Sequence, residues 1–184
     1  RPQSGNPRPR IFRLPDDHAV INRLGFTLKR PVFLKIAPDL SNEELDDIAA
    51  EATAQKLDGI IVSNTTLSRH GLKSAENHEE TGGLSGAPLF ERSTVILARM
   101  RERVGADMPL IGVGGIDSAE TALAKIKAGA DLIQLYTGMI YRGPGLASEI
   151  LRGLSEAVKN EGAANIAELR DRDTKQWAAR RLPD

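Results

Sequence analysis

The stretch PLIGVGGIDSAETALAKIKAGADLIQLYTG, residues 109–138, decides the fold. It holds two short apolar runs, each closed by glycine or a small hydroxyl residue, with a helical pattern between them. MPLIGVGGI reads as a strand. Asp117 and Glu120 are placed to cap a helix that runs through Ala128 and stops at Gly129, and ADLIQLY reads as the next strand. A strand, a helix and a second strand in about thirty residues is the unit that builds a parallel sheet.

Working outward, the same alternation recurs on both sides. Upstream, PVFLKI is a strand run, followed by a helix in SNEELDDIAAEATAQK. There Ser41 and Glu44 make a capping box, and Leu45, Ile48, Ala49 and Ala52 share one face. DGIIVSN is the next strand and STVILARMRERVG the next helix, with Val95, Leu97 and Ala98 apolar and Gly105 as the stop. Downstream, LASEILRGLSEAVKNEG forms an amphipathic closing helix. The tail RDRDTKQWAARRLPD reads as a solvated amphipathic terminus with Trp177 docked on the body.

Four βα units in sequence imply a parallel sheet covered by helices. Two architectures are compatible, an open doubly wound sheet and a (β/α)8 barrel. Lys35, Ser63-Asn64-Thr65, Gly112 to Gly115 and Tyr136-Thr137 all fall at carboxyl ends of strands, the face where barrels keep their chemistry. An open sheet concentrates ligand groups near one topological switch, so four consecutive decorated strand ends favour the α/β (β/α)8 TIM barrel. A whole barrel takes about 250 residues, so about four of its units are expected here. Residues 1–26 differ from the rest: four of the ten prolines lie within the first 15 residues, among Arg8, Arg10 and Arg13. They read as an extended basic segment with a short turn or helix from Asp16 to Asn22. Residues 27–184 read as the C-terminal half of the barrel.

Composition narrows the function. Lys plus Arg equals Asp plus Glu at 25 each, which gives no support to a nucleic-acid partner. There is no cysteine, hence no disulfide, thiolate metal site or cysteine nucleophile. His18, His70 and His78 lack metal-ligand spacing, so no metal is expected.

The strand ends suggest chemistry. Gly114-Gly115 before a capped helix and Tyr136-Thr137-Gly138 after the next strand leave room for a phosphorylated ligand on backbone N–H groups; alternatively the glycines only turn tight corners. Lys35, a charge inside an apolar run, suits a Schiff-base amine or a fixed cation beside an electron-rich cofactor. It could also simply reach solvent. Ser63, Asn64, Thr65 and Thr66 suit a planar ligand with carbonyl and carboxylate edges, or else an Asx or hydroxyl turn. The connection LSRHGLKSAENHEETGGLSGAPLFE is long, reads as structureless, and carries a glycine cluster that permits close approach to a ligand.

Five segments in order carry a resemblance: RPQSGNPRPRIFRLPDDHAVINRLGF, VFLKIAPDLSNEELDDIA, DGIIVSNTTLSR, ETGGLSGAPL and IGVGGIDSAETALAKIKAGADLIQLYTGMIYRGPG. Together they resemble the class 2 dihydroorotate dehydrogenases, flavin enzymes of pyrimidine synthesis that oxidise dihydroorotate to orotate and reduce a membrane quinone. The resemblance implies FMN as cofactor. It places Lys35 and Ser63 at the flavin, with Lys35 balancing negative charge on the reduced ring. Gly86, Gly115, Tyr136 and Thr137 match FMN-binding positions, the last three near the phosphate. Asn22, Leu24, Gly25, Phe26, Asn64 and Thr65 match substrate positions, and Arg13 resembles a residue of the quinone tunnel. It further implies peripheral association with a membrane. In a bacterium this is the cytoplasmic side of the inner membrane, and in a eukaryote the mitochondrial inner membrane.

The chain departs from the family at one joint. There NRLGF runs on into further strands and helices, including an Asn-x-Ser-Ser-Pro-Asn stretch whose serine is the catalytic base. Here Phe26 is followed at once by TLKRPVFLKIAPD, so no catalytic residue of that kind is visible. A half barrel of this sort is expected to bare sheet edges and apolar faces. Two rivals stand beside the family reading. One is a phosphate-binding barrel aldolase or isomerase using Lys35 as a Schiff base, and the other an inactive, truncated binding module.

Overall fold

The structure is a computed structural model that describes residues 30–72 and 78–182. From Val32 onward the chain forms one compact unit. Its sheet has four parallel strands in sequential order: β1 (Phe33–Ile36), β2 (Gly59–Val62), β3 (Leu110–Val113) and β4 (Leu132–Gln134). Sequential order with a helix after every strand is the pattern of a barrel arc, since an open doubly wound sheet reverses direction partway. Helix α1 (Asn42–Ala54) follows β1, α2 (Phe90–Val104) follows β2, and α3 (Ala119–Lys127) follows β3. After β4 come α4 (Thr137–Arg142), α5 (Gly145–Asn160) and, in the tail, α6 (Thr174–Ala178).

Register explains which side is covered. Leu34, Ile60 and Leu110 lie in one row, and Ile36, Val62, Gly112 and Ile133 in another. These rows face the helices, and Ile60, Val62 and Leu110 are wholly buried against Val95, Ile96, Leu97 and Met100. A second apolar cluster joins α3 to α5 through Ile116, Ala122, Ile126, Leu146, Ile150 and Leu154. The alternate row, Lys35, Ile61, Ile111 and Leu132, faces the other way, where a closed barrel has its interior. That face is partly bare here: Phe33 is 37% and Leu132 61% exposed. Within the four-stranded sheet β1 and β4 are both edges, as expected of a partial barrel.

Local sequence accounts for most boundaries. Ser41 caps α1, its hydroxyl accepting from the Glu44 N–H while the Glu44 carboxylate accepts from the Ser41 N–H. At α3 the expected caps are corrected. Ser118 is the N-cap, and Thr121 rather than Glu120 completes the box, its Oγ1 accepting from the Ser118 N–H at 3.0 Å. Helix α2 starts at Phe90, earlier than its apolar periodicity shows, because the 3-10 turn Ala87–Leu89 leads directly into it. The Tyr136-Thr137-Gly138 corner opens the six-residue α4, a helix not anticipated from the sequence. No helix among the described residues is long and apolar enough to cross a membrane.

The tail does dock. Trp177 is 8% exposed and meets Phe90 edge-on at 5.9 Å between ring centroids, with the Arg180 guanidinium 3.7 Å from its ring. Behind β3 and β4, Arg101 is almost fully buried. It donates to the carbonyls of Gly129, Gly105 and Met108 and to Asp131 Oδ2 at 2.5 Å, and Arg170 pairs with the other oxygen of the same carboxylate.

Candidate functional site

At the carboxyl ends of the four strands lies a cavity of about 290 Å3. Lys35 enters it from the end of β1, and Ser63, Asn64 and Thr65 from the residues just after β2. Gly86 comes from the long connection, Gly114 and Gly115 from the turn after β3, and Tyr136 with Thr137 from the turn after β4. The structure thus brings to one place the eight residues matched to family positions that fall within its described part, with Gly114 beside them, while Thr66 and Gly112 lie outside the lining. Asn22, Leu24, Gly25, Phe26 and Arg13 lie outside the described residues, as does His18.

Among the described residues the lining holds one charged group, Lys35, and neither a carboxylate nor an imidazole. The remaining polar groups are hydroxyls and amides, the donor set suited to an anionic, oxygen-rich ligand. Lys35 is exposed, as the alternative of a lysine reaching solvent has it, and it lines the cavity as well. The strand's buried positions are those facing α1, and Lys35 points to the open interior side. Ser63 is 1% exposed and donates to the Asn64 carbonyl at 3.0 Å. Asn64 Oδ1 accepts from the Thr65 N–H at 2.9 Å, one residue on and so not an Asx turn, whereas Thr66 Oγ1 accepts from the Ser68 N–H at 3.0 Å and forms the foreseen hydroxyl turn.

Close backbone approach is built in at Gly114 and Gly115, whose φ values are +112° and +70°. A Cβ on Gly115 would lie 2.4 Å from Phe90 Cβ, and one on Gly114 2.7 Å from Ser93 Oγ. The turn after β3 therefore rests directly on the first turn of α2. Both readings of these glycines meet here: they let loops pack tightly, and the packed loops shape the cavity.

The long connection is less featureless than its sequence. Asp39 accepts from Thr66 Oγ1 and from the Leu67 N–H, tying the loops after β1 and β2 together. Thr66 pairs with Leu84, and Arg69 donates to the carbonyls of Glu80 and Gly82. This anchors the loop whose Ser85 and Gly86 line the cavity. Ser85, which carried no signal beyond its place in GGLSG, bonds Thr137 Oγ1 at 3.0 Å and closes the loop onto the β4 turn. The described residues contain no His, Asp or Glu cluster able to hold a metal, and His70 and His78 belong to none.

One charged residue was missed. Lys125 is completely buried, and its Nζ donates to Ser93 Oγ at 2.6 Å. The usable signal was its spacing: with Ala122 and Ile126 it occupies the face of α3 turned inward.

A four-stranded barrel arc with a polar, acid-free cavity at its carboxyl rim defines a ligand-binding α/β barrel. The dihydroorotate dehydrogenase family model matches residues 27–158, and the chain belongs to that family. It is 58% identical to the dihydroorotate dehydrogenase (quinone) of Brucella ovis and 57% to that of Brucella melitensis, over 99% of this chain and 75% of each relative. These alignments run over 274 residues against a chain of 184, so roughly ninety positions of the relatives have no counterpart here. The structure is similar to that of an Eimeria tenella dihydroorotate dehydrogenase in complex with ferulenol, with a TM-score of 0.75, 41% identity and 79% of this chain covered. The ligand-free form of that protein gives a TM-score of 0.73 at 40% identity, covering 77% of this chain. The chain spans 39% of each of those structures.

Proposed function

We propose that this chain is the cofactor-holding part of a quinone-dependent dihydroorotate dehydrogenase, which oxidises dihydroorotate to orotate in pyrimidine synthesis with FMN as its flavin. The observation that carries the reading is the convergence of eight residues, from four strand ends and the long loop, on one cavity without a carboxylate. Relatives of matching sequence bear the name dihydroorotate dehydrogenase (quinone), and that family is generally flavin-dependent.

The residues present fit the cofactor. Gly115, Tyr136 and Thr137 would hold its phosphate where the loops after β3 and β4 meet, and Gly86 would meet the cofactor from the long connection. A dianion there faces no competing acid in the lining. Lys35 and Ser63 would lie against the ring, Lys35 supplying a cation where negative charge develops on reduction. Asn64 and Thr65 would bind the planar substrate through amide and hydroxyl, together with Asn22, Leu24, Gly25 and Phe26. A bound flavin would supply hydride acceptance from the substrate and electron delivery to quinone, and Arg13, by resemblance, would belong to the quinone tunnel. The proton lost from the neighbouring substrate carbon goes to a base carried in the positions this chain lacks relative to its kin. Association is with the inner membrane surface, bacterial or mitochondrial.

The Schiff-base rival gains nothing from the geometry. Proton shuttling at a lysine imine calls for a neighbouring acid or base, and no carboxylate or imidazole lines the cavity beside Lys35. The test is a visible absorption spectrum of the purified protein. The expected result is an oxidised-flavin band that dihydroorotate bleaches without oxygen and a quinone restores. Colourless protein that takes up no flavin, or a lysine adduct trapped by borohydride, would overturn the reading.

A further inference from the structure

Lys125 is the one ammonium in the described residues that is wholly removed from water, and nothing in the proposed chemistry employs it. Its surroundings make it unlike a surface lysine folded inward. Nζ donates to Ser93 Oγ at 2.6 Å and lies 5.3 Å from the centroid of the Phe90 ring. Ser93 Oγ in turn lies 2.8 Å from the Leu89 carbonyl and 3.2 Å from the Gly114 carbonyl, and Leu89 and Gly114 both line the cavity. A charged lysine can only donate, so Ser93 must accept from it and turn its own single hydrogen to a carbonyl. The cation is thus one hydroxyl away from the backbone of the turn that packs on Phe90.

We propose that Lys125 is a positioning residue of the phosphate-binding rim: a buried cation that braces the Gly114-Gly115 turn through Ser93 and places positive charge behind it. The inference rests on the flavin-phosphate reading above. Among the described residues no charged side chain faces Lys125 from the packed elements. Ser93 and Phe90 meet it from α2, and Gly112 and Ala130 crowd the neighbouring backbone. The Arg101–Asp131 pair belongs to a point two turns further along α2, about 12 Å from Ser93. Burial alone acts on the ammonium and pushes its pKa well below the usual lysine value. A phosphate dianion on the far side of the turn opposes that push. By linkage, binding of the phosphate takes up a proton, and affinity falls as pH rises through the pKa of the occupied state.

FMN and riboflavin, which differ by the phosphate alone, separate this from ordinary scaffolding. Their binding to the flavin-stripped protein is measured by calorimetry in buffers of different ionisation enthalpy at about pH 8, above the phosphate's second pKa of about 6. FMN is expected to take up a fraction of a proton that riboflavin does not. Lys125→Met is expected to abolish that uptake and weaken FMN about tenfold, the effect of one pKa unit of coupling, while riboflavin affinity holds. Equal proton uptake with both ligands overturns the proposal on wild-type protein alone, whether or not the variant folds. Equal losses for both ligands in the variant overturn it as well, in favour of a purely structural lysine. Wild-type protein that binds FMN in either of those cases leaves the flavin reading standing, whereas binding of neither ligand sinks both.

Discussion

Asp131 sits in ADLIQLY where a sequence reader sees only the polar residue before a strand, yet three separate donors converge on it. Burial pushes its carboxyl pKa up. The Leu110 N–H and the guanidinium groups of Arg170 and Arg101 outweigh that, and the net position is below the ordinary value of 3.8. A carboxyl depressed on folding contributes stability in full above its unfolded pKa and loses it as pH falls through the folded one. Asp131→Asn should therefore destabilise the protein at neutral pH, by up to about 3 kcal/mol, because buried Arg101 loses the closer of its two carboxylate partners and keeps only Asp171 at 3.2 Å. The gap between variant and wild type should close below about pH 4, as seen in denaturation midpoints taken across that range. A difference that persists unchanged into acid would assign the cost to packing instead. Ser63, Asn64 and Thr65 were readable as cavity-lining candidates from their place at a strand's carboxyl end, although a local turn was an equally open reading of the same donors. Lys125 was not, since lysine in a helix usually faces water and only its spacing between Ala122 and Ile126 spoke otherwise.

Elements were legible where the signal is local. The Ser41 box at α1 needs only residues three apart, whereas at α3 the adjacent candidates Asp117 and Ser118 compete, and φ and ψ at Ser118 decide the matter. Helix α4 escaped because six residues hold no period to detect. The tail helix α6 shows how a remote element reaches the site. Trp177 packs on Phe90, Phe90 packs on Gly115, and Phe90 also covers the Lys125 ammonium. Trp177→Ala removes a large buried ring whose site cannot collapse, which costs about 3 to 5 kcal/mol. A lowered chemical-denaturation midpoint is the first readout. Weaker flavin retention on dialysis is the second, because the turn proposed to hold the phosphate loses its backing. A variant that unfolds earlier but keeps its flavin equally well would break the link between tail and site.

Taken as a unit, the sheet poses a problem that its helices do not solve. Parallel sheets are stable with both faces covered, and here the helices cover one. The interior face presents Phe33, Ile61 and Leu132 beside Lys35, with β1 and β4 as sheet edges. In the family this face is closed by further strands, and the roughly ninety positions with no counterpart here are material for them. Expressed as a 184-residue, 19.9 kDa polypeptide, the chain should bury the face against other copies, since exposed edges pair and exposed apolar patches associate. Light scattering coupled to gel filtration should find oligomers or aggregates, and Leu132→Lys should raise the monomer fraction by placing a charge on the bare row and its edge. The active enzyme, by contrast, should show an intact mass several kilodaltons above 19.9 kDa. A monodisperse 19.9 kDa monomer that unfolds cooperatively would mean that half a barrel satisfies its own interior, and the inactive binding module would then become the better account of the chain.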